Sequence, residues 1–147
     1  MTGIKLIVDY SRPRQEKIAA VEYAYVEGSV VENAIYFPPP RGEGKKEVYV
    51  EFFRFPRGSE SGEEVVKELD KRGYLTATID ELLVLGQKDP LDDDFYCNVV
   101  ALGSPAACPD GKLLVPYICG NRQERKLALC SFTCEWASHF IFLVLHK

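Results

Sequence analysis

The sequence has no apolar run long enough to cross a membrane. Its longest uninterrupted run is Phe140–Leu145, which suits a buried strand, whereas a membrane-spanning helix needs about 20 residues. The first residues, Met1 to Asp9, form a short apolar stretch with a single lysine. They lack the longer apolar core and the small-residue cleavage site of a secretory signal. We therefore expect no membrane insertion and, by default, a cytoplasmic location.

The chain also lacks an excess of positive charge. It carries 18 Lys and Arg against 22 Asp and Glu, which gives a net charge of −4 and a pI near 5.3. A nucleic-acid-binding protein needs a basic face for the phosphates, so the composition argues against a nucleic-acid partner. With 147 residues, 46% of them hydrophobic and 27% charged, the chain is expected to form one domain, residues 1–147, around a substantial core.

Cysteines are few and odd in number. The five are Cys97, Cys108, Cys119, Cys130 and Cys134. A disulfide framework favours an even number and a secreted protein. We therefore expect most of the five to be thiols.

The first 45 residues mix a strand, a helix and a proline-rich loop. Ile4–Val8 reads as a strand, and Pro13 to about Tyr25 as a helix that begins with proline. Pro38–Gly44 holds three prolines followed by glycines, which predicts a loop. We expect residues 1–45 to form an N-terminal extension or lid over the core.

The middle of the chain predicts one strand and two short capped helices. Glu47–Phe55 alternates, with Val48, Val50 and Phe52 on one face and Tyr49, Glu51 and Phe53 on the other. Its phenylalanines are expected to be core on both sides. One helix follows the capping box at Ser61 and stops at Gly73. A second repeats the pattern from Thr78 to Gly86.

The last third of the chain reads as β structure. Candidate strands are Phe95–Leu102, Lys112–Ile118, Arg125–Phe132 and Phe140–His146, with turn chemistry between the first two. Helices and strands are thus segregated along the chain. This order predicts an α+β fold in which two short helices pack on a mostly antiparallel sheet.

Two sets of residues are interleaved between Tyr117 and Lys147. One set is an apolar strand skeleton: Tyr117, Ile118, Leu127, Leu129, Phe132, Trp136, Phe142 and Leu143. The other has no evident structural logic: Cys119, Gly120, Asn121, Arg122, Ala128, Cys130, Ser131, Thr133, Cys134, Ala137, Ser138, His139 and Phe140. A packed scaffold with an arbitrary outer set indicates a display surface for binding.

Three other interpretations of these residues are weaker. Cys130, Cys134 and His139, with Cys119, could form a zinc site, but structural zinc favours tighter and more regular spacing. A catalytic cysteine with His139 would have only Glu135 nearby to orient it, and no flanking motif is present. Asp92–Asp94 is more typical of a solvated turn than of a calcium loop. We predict no metal, no cofactor and no catalytic residue.

Several motifs resemble one family. In the middle of the chain they are Val66-Lys67-Glu68-Leu69, Arg72-Gly73, Ala77-Thr78, Glu81-Leu82-Leu83, Leu85-Gly86 and Val99–Ser104. Towards the end they are Val115-Pro116-Tyr117, Leu127-x-Leu129, Phe132-x-x-x-Trp136 and Phe142-Leu143. With this frame the chain resembles the small archaeal type of variable protein of diversity-generating retroelements. It departs from the family pattern at Ser131, Ile141 and His146.

The resemblance implies a C-type-lectin-like fold and a binding role without catalysis. In this family a reverse transcriptase rewrites adenines near the 3′ end of the gene, here in the variable region 113–147. A codon of two adenines and a pyrimidine never becomes Lys, Glu, Gln, Met or Trp. The whole outer set avoids these residues, whereas Trp136 stands in the fixed frame. Gln123, which we include in the binding patch, is outside the reachable set, as are Glu124, Lys126 and Glu135.

The resemblance implies an unidentified protein or other macromolecular target. Asn121, Arg122, His139 and Phe140 are the expected main contacts, because Arg and aromatic residues dominate interface energetics. A monomer is favoured over an oligomer. The alternatives are a structural, assembly or adhesion module of the same fold without diversification, and, third, a thiol or metal enzyme.

Overall fold

A computed structural model describes residues 4–19, 25–26, 30, 34–55, 61–86, 98–120, 125–133, 136 and 140–146. Within these ranges the strands are β1 (Ile4–Asp9), β2 (Tyr25–Val26), β3 (Lys45–Phe53), β4 (Tyr74–Thr76), β5 (Val99–Val100), β6 (Ala106–Ala107), β7 (Leu113–Gly120), β8 (Arg125–Ser131) and β9 (Ile141–His146). The α-helices are α1 (Arg14–Ala19), α2 (Gly62–Lys71) and α3 (Ile79–Gly86), and a 3-10 turn spans Ala34–Tyr36.

The strands form one sheet in the order β1-β3-β9-β5-β7-β8-β2, with β4 beside β9 and β6 beside β7. Two of the pairings, β2 with β8 and β5 with β9, are parallel, and the others are antiparallel. The predicted α+β class with a mostly antiparallel sheet is therefore confirmed. No helix in the described ranges has the length and apolar character needed to span a membrane.

Both faces of the sheet are covered. On the first face, the side chains of Leu6, Val50, Ile118, Leu127 and Leu143 pack with those of α3 in one apolar cluster. On the second face, a separate apolar cluster joins the sheet to α2 and Trp136; its members are Val65, Leu69, Val100, Leu102, Val115, Trp136, Phe142 and Val144. Strands buried on both faces read as nearly continuous apolar runs, as β9 does.

Strand β3 confirms the predicted alternation. Val48, Val50 and Phe52 belong to or pack against the cluster on the first face. Phe53 and Phe55 pack against the cluster on the second face. These phenylalanines therefore pack against both clusters, as expected, but they remain half-buried at the edge of the core.

The two predicted capped helices are present. The Ser61 hydroxyl accepts a hydrogen bond from the Glu64 amide at the start of α2, and Gly73 follows the helix with a φ of 85°, a value that favours glycine. At the start of α3, the Glu81 carboxylate accepts from both the amide and the hydroxyl of Thr78, at 2.8 and 2.6 Å. Local sequence signals were sufficient for both helices.

The predicted N-terminal extension is wrong in its packing. All six residues of β1 pair with β3, and Leu6 and Val8 are fully buried in the cluster of the first face. The predicted helix to Tyr25 is also too long, because α1 ends at Ala19 and Tyr25 pairs with β8. Burial of apolar side chains in the sheet, which the local sequence pattern does not reveal, makes these N-terminal residues part of the core.

Candidate binding surface

The predicted binding residues centre on the hairpin of β7 and β8. Ile118 pairs with Leu127, and Tyr117 with Ala128. Ile118 and Leu127 belong to the cluster of the first face, so the alternate residues of both strands lie on the second face. Cys119, Ala128 and Cys130 are therefore placed on the second face, together with Val115 and Tyr117.

Most of the second face is packed rather than open to solvent. Trp136 is 1% exposed and meets Phe140 and Phe142 edge to face, with ring centroids 4.8 and 5.8 Å apart. Phe140 in turn packs edge to face against Tyr117, with ring centroids 6.4 Å apart. Edge-to-face aromatic pairs add about 0.5–1.5 kcal/mol beyond their area burial. Trp136 thus acts as scaffold, as the sequence indicates.

Two predicted binding residues lie deeper than expected. Ala128 is only 6% exposed and sits opposite Tyr117, so the expectation that it projects outward is wrong. Phe140 is partly buried against the cluster of the second face, so only part of its ring is accessible. Both differences arise because the second face carries its own apolar layer.

Five of the predicted binding residues retain exposure to solvent, and we call them the rim. Ser131 and Thr133 are exposed, and Cys119, Cys130 and Phe140 are half-buried. Cys119 stands near the tip of the hairpin, paired with Lys126. It lies four positions along β7 from Val115, the partner of Cys130, so Cys119 and Cys130 are separated by roughly 14 Å along the strand direction.

Ser131 and Thr133 form a hydroxyl pair at the end of β8. Their oxygens lie 3.0 Å apart, and the Ser131 hydroxyl also accepts from the Thr133 amide at 3.3 Å. Between them, the Phe132 amide donates to Leu113, and the Phe132 carbonyl accepts from the Gly62 amide at the start of α2. The exposed hydroxyls are thus held by a backbone that is anchored on both sides.

The remaining predicted residues divide into two groups. Gly120 is the last residue of β7. Outside the described residues lie Asn121, Arg122, Gln123, Cys134, Ala137, Ser138 and His139.

The residues of the alternative sites also lie partly outside the described ranges. These include Cys134 and His139 of the zinc and thiol interpretations, and Asp92–Asp94. Where the chain is described, no three His, Cys, Asp or Glu side chains are grouped closely enough to hold a metal ion. Cys108, Cys119 and Cys130 are present as thiols.

A buried ionic cluster between α1 and α3 was not predicted. Asp80 is fully buried and accepts from the Lys17 ammonium at 3.0 Å. It also receives a bidentate contact from Arg14, at 3.2 and 3.0 Å. Burial alone would raise the pKa of Asp80, but the hydrogen bonds and charges of Arg14 and Lys17 outweigh it and hold that pKa below its usual value.

Tyr10 and Glu81 extend this buried cluster. Burial raises the pKa of the Tyr10 hydroxyl well above its usual value, and the charge of Glu81 and a hydrogen bond to it raise it further. The Lys17 ammonium also lies 5.9 Å from the centre of the Tyr10 ring. A sealed carboxylate with two cationic partners joins α1 to α3; it offers no access to a ligand.

The sequence places the two basic residues of this cluster together but does not show their acidic partner. Arg14 and Lys17 are three residues apart, so they share one face of α1. Their partner Asp80 lies more than 60 residues away and reads locally as part of a helix cap.

An open cleft of about 390 Å³ lies beside the cluster, lined by Tyr10, Arg14 and Phe37 among others. The Arg14 guanidinium is already engaged there by Asp80 and by the Phe37 and Pro38 carbonyls.

The fold and the site together define a mixed α+β domain with five half-buried or exposed rim residues on a sheet covered on both faces. Comparisons with protein-family models, with curated proteins and with solved structures found no match.

Proposed function

We propose that the chain is a binding protein that displays the rim on a fixed framework, as the variable protein of a diversity-generating retroelement with a C-type-lectin-like fold. Its partner is a protein or other macromolecular target. The rim and the adjoining predicted residues of the variable region 113–147 contact that target. No step of chemistry on the target is part of this proposal.

One observation carries the proposal: most described residues of the skeleton are buried, and most described residues of the outer set are not. Six of the eight skeleton residues, Ile118, Leu127, Leu129, Trp136, Phe142 and Leu143, are 9% exposed or less, and the other two, Tyr117 and Phe132, are half-buried. The rim residues all retain exposure. Three described residues depart from this division: Ala128 of the outer set is buried, and Tyr117 and Phe132 of the skeleton are half-buried.

The energies of substitution explain why such a division suits a display surface. An exposed substitution away from caps and core changes stability by about 0.5 kcal/mol or less, whereas truncating a buried Leu or Trp costs about 2–5 kcal/mol. A domain that is stable by only about 5–15 kcal/mol tolerates many changes of the first kind and few of the second. Sequence change confined to exposed side chains therefore preserves the fold.

The framework also limits the cost of binding. The β7–β8 hairpin is paired over seven residue pairs, and the turn that follows it is tied to α2 by the Gly62–Phe132 hydrogen bond. Side chains presented on such a backbone lose less freedom on binding than those of a mobile loop. Affinity then depends on which side chains the rim carries.

A displayed library tests the proposal directly. Cys119, Cys130, Ser131 and Thr133 would be varied together and the library selected against several unrelated folded proteins. The proposal predicts specific binders to more than one target, each with an unchanged framework. A matched library varied at exposed positions of α2, such as Glu63 and Lys67, should yield fewer binders. Equal yields of binders from both libraries would contradict the proposal that the rim is the binding surface.

The gene itself separates this proposal from a non-diversified assembly or adhesion module. Diversification requires pyrimidine-ending codons at the rim and, nearby, a near-copy of the variable region that differs only at adenines. Sequencing the flanking DNA detects both. Codon endings without this bias, and no near-copy, would favour the assembly module.

A further inference from the structure

Strand β1 ends the sheet as far as the structure describes the chain, and its outer backbone groups follow a simple rule. It pairs on one side with β3. One step beyond the last pair of this ladder, the Tyr10 amide donates to the Gly44 carbonyl at 2.9 Å. In an antiparallel ladder the residues that bond to the neighbour alternate with residues whose groups point away. Even-numbered residues therefore bond to β3, and Lys5, Ile7 and Asp9 direct their amides and carbonyls outward.

The side chains of these three residues are symmetric about Ile7. Lys5 and Asp9 stand two positions to either side of it, with opposite charges. Ile7 is 60% exposed and the Lys5 side chain 53% exposed, and all three occupy the same face of the strand. If a second β1 is laid antiparallel beside the first with Ile7 opposite Ile7, each Lys5 faces an Asp9.

We propose that two copies of this chain associate through β1, antiparallel and in the register that places Ile7 opposite Ile7. In this register Lys5 pairs with Asp9 of the second copy, Ile7 with Ile7, and Asp9 with Lys5. Each of these pairs exchanges two backbone hydrogen bonds, because the outward groups of the same three residues meet. A shift by one residue would bring outward groups against inward ones and would separate the charges.

The polar groups of Lys5 and Asp9 keep the bonding capacity that a second strand requires. Lys5 already lies 3.8 Å from Glu47 of β3, so in the dimer it would stand between two carboxylates. The Asp9 carboxylate accepts from the Ser11 amide through one oxygen, and a carboxylate has a second oxygen for Lys5. The Asp9 carbonyl accepts from the Arg12 amide and has a second lone pair.

The dimer leaves the rim accessible. Strands β7 and β8 lie at the other end of the sheet order from β1. Joining two copies at β1 gives one continuous sheet with a rim towards each end. Where the proposed function holds, this arrangement makes the binder bivalent, and two linked sites bind a repetitive target more tightly than one. The dimer itself does not depend on the proposed function.

A charge-exchange experiment tests the register. In sedimentation equilibrium from about 10 μM to 1 mM, the native chain should show a monomer–dimer equilibrium. Lys5→Glu and Asp9→Lys each place like charges opposite one another. The dimer dissociation constant of each variant alone should therefore rise by about tenfold or more. Mixed together, the two variants should form a heterodimer, because every cross-strand pair is then opposite in charge. The double variant K5E/D9K should dimerise as the native chain does.

Controls separate this effect from general charge and from loss of the fold. Lys67→Glu is matched to Lys5→Glu, because Lys67 is also an exposed lysine beside a carboxylate, Glu63, at 3.7 Å; it should leave dimerisation unchanged. If Asp9→Lys disturbs the fold through the lost Ser11 contact, Ile7→Lys places two ammonium groups at the twofold axis instead. This variant should be monomeric with an unchanged melting temperature.

Amide hydrogen exchange gives an independent readout at residue resolution. Raising the protein concentration should slow exchange at Lys5, Ile7 and Asp9, whose amides point outward. Exchange at Leu6 and Val8 should stay slow at all concentrations. A native chain that remains monomeric at about 1 mM, a dimer that is indifferent to the charge exchange, or association only with other proteins would each overturn the proposal.

Discussion

At the scale of single residues, Gly62 shows how contact can reverse a propensity. Glycine is normally the poorer helix residue, by about 1 kcal/mol relative to alanine. A Cβ on Gly62, however, would overlap the Phe132 carbonyl oxygen and lie 2.7 Å from the Phe132 ring. The absence of a side chain here lets the start of α2 approach the turn that carries the rim.

We therefore predict that Gly62→Ala destabilises the protein, by about 1–3 kcal/mol as in other overpacked sites. The measurement is the free energy of unfolding from urea denaturation. Glu63→Ala, on the exposed neighbour, is the control and should change stability by about 0.5 kcal/mol or less. A more stable Gly62→Ala variant would show that the turn moves aside without cost.

Trp136 combines a large buried ring with an indole N–H for which the described residues provide no acceptor. Its Nε1 is buried and has no hydrogen-bond partner among the described residues. An orphaned buried donor costs about 1–3 kcal/mol, while removal of a buried Trp side chain costs about 3–5 kcal/mol. Trp136→Phe should accordingly cost clearly less than Trp136→Ala, because it deletes the donor and keeps most of the ring. Equal losses of unfolding free energy in the two variants would contradict this account of Trp136.

Ala128 gives a prediction opposite to that for the rim. Because it is buried opposite Tyr117, a large side chain here has to displace that ring. We expect Ala128→Phe to destabilise by about 1–3 kcal/mol and Thr133→Phe, in the exposed turn, to change stability by about 0.5 kcal/mol or less. Thermal unfolding of both variants measures the difference. Equal tolerance at the two positions would mean that the burial of Ala128 does not restrict variation.

At the scale of elements, the contact of α1 with α3 depends on Asp80. Removing one partner of a buried ion pair leaves the other charge uncompensated, at a cost of about 3–5 kcal/mol. We expect Asp80→Asn to lose stability in this range at neutral pH. Glu63→Gln, which alters an exposed pair, should lose about 1 kcal/mol or less.

The same carboxylate predicts a pH dependence with a definite sign. The pKa of Asp80 is lower in the folded protein than in the unfolded chain, so its stabilising contribution is present above the unfolded value of about 3.9. It is lost as the pH falls from there through the folded pKa. Unfolding free energy measured against pH should therefore fall less steeply in Asp80→Asn than in the native chain below about pH 4. Parallel curves would exclude a lowered pKa.

The elements differ in how far the sequence predicted them. Ser61 and Gly73 carry their signals within one turn of the helix they bound, so α2 was predicted closely. The Lys17–Asp80 pair depends on tertiary contact, and no local pattern contains it. The short strands β2, β4 and β6 have two or three residues each, too few for a periodic signal.

Strand β7 carries a sequence pattern that indicates burial on both faces. Leu113, Val115, Tyr117 and Ile118 make it apolar at both parities, which is typical of a strand covered on both faces. The second apolar layer, and hence the burial of Ala128, could have been inferred from this pattern. The positions of Ser131 and Thr133 in an exposed turn could not, because they depend on where Phe132 meets α2.

At the scale of the whole molecule, the N-terminal third contributes to the main core. Strand β1 supplies Leu6 and Val8 to the main core, and α1 supplies two of the partners of Asp80. We predict that a chain lacking residues 1–44 shows no cooperative thermal transition, because β3 and α3 lose their cover. Addition of the 1–44 peptide should restore the transition. A truncated chain that unfolds cooperatively by itself would reinstate the extension model.

The central claim is that the rim varies independently of the framework. Its most direct measurement is the melting temperature of variants in which Cys119, Cys130, Ser131 and Thr133 are replaced together by other residues of the adenine-reachable set. Two of these positions are exposed and two are half-buried, and four changes of about 0.5 kcal/mol each imply a shift of roughly 8 °C. We predict that most such variants melt within that range and keep the native near-UV spectrum. General unfolding of these variants would contradict the account.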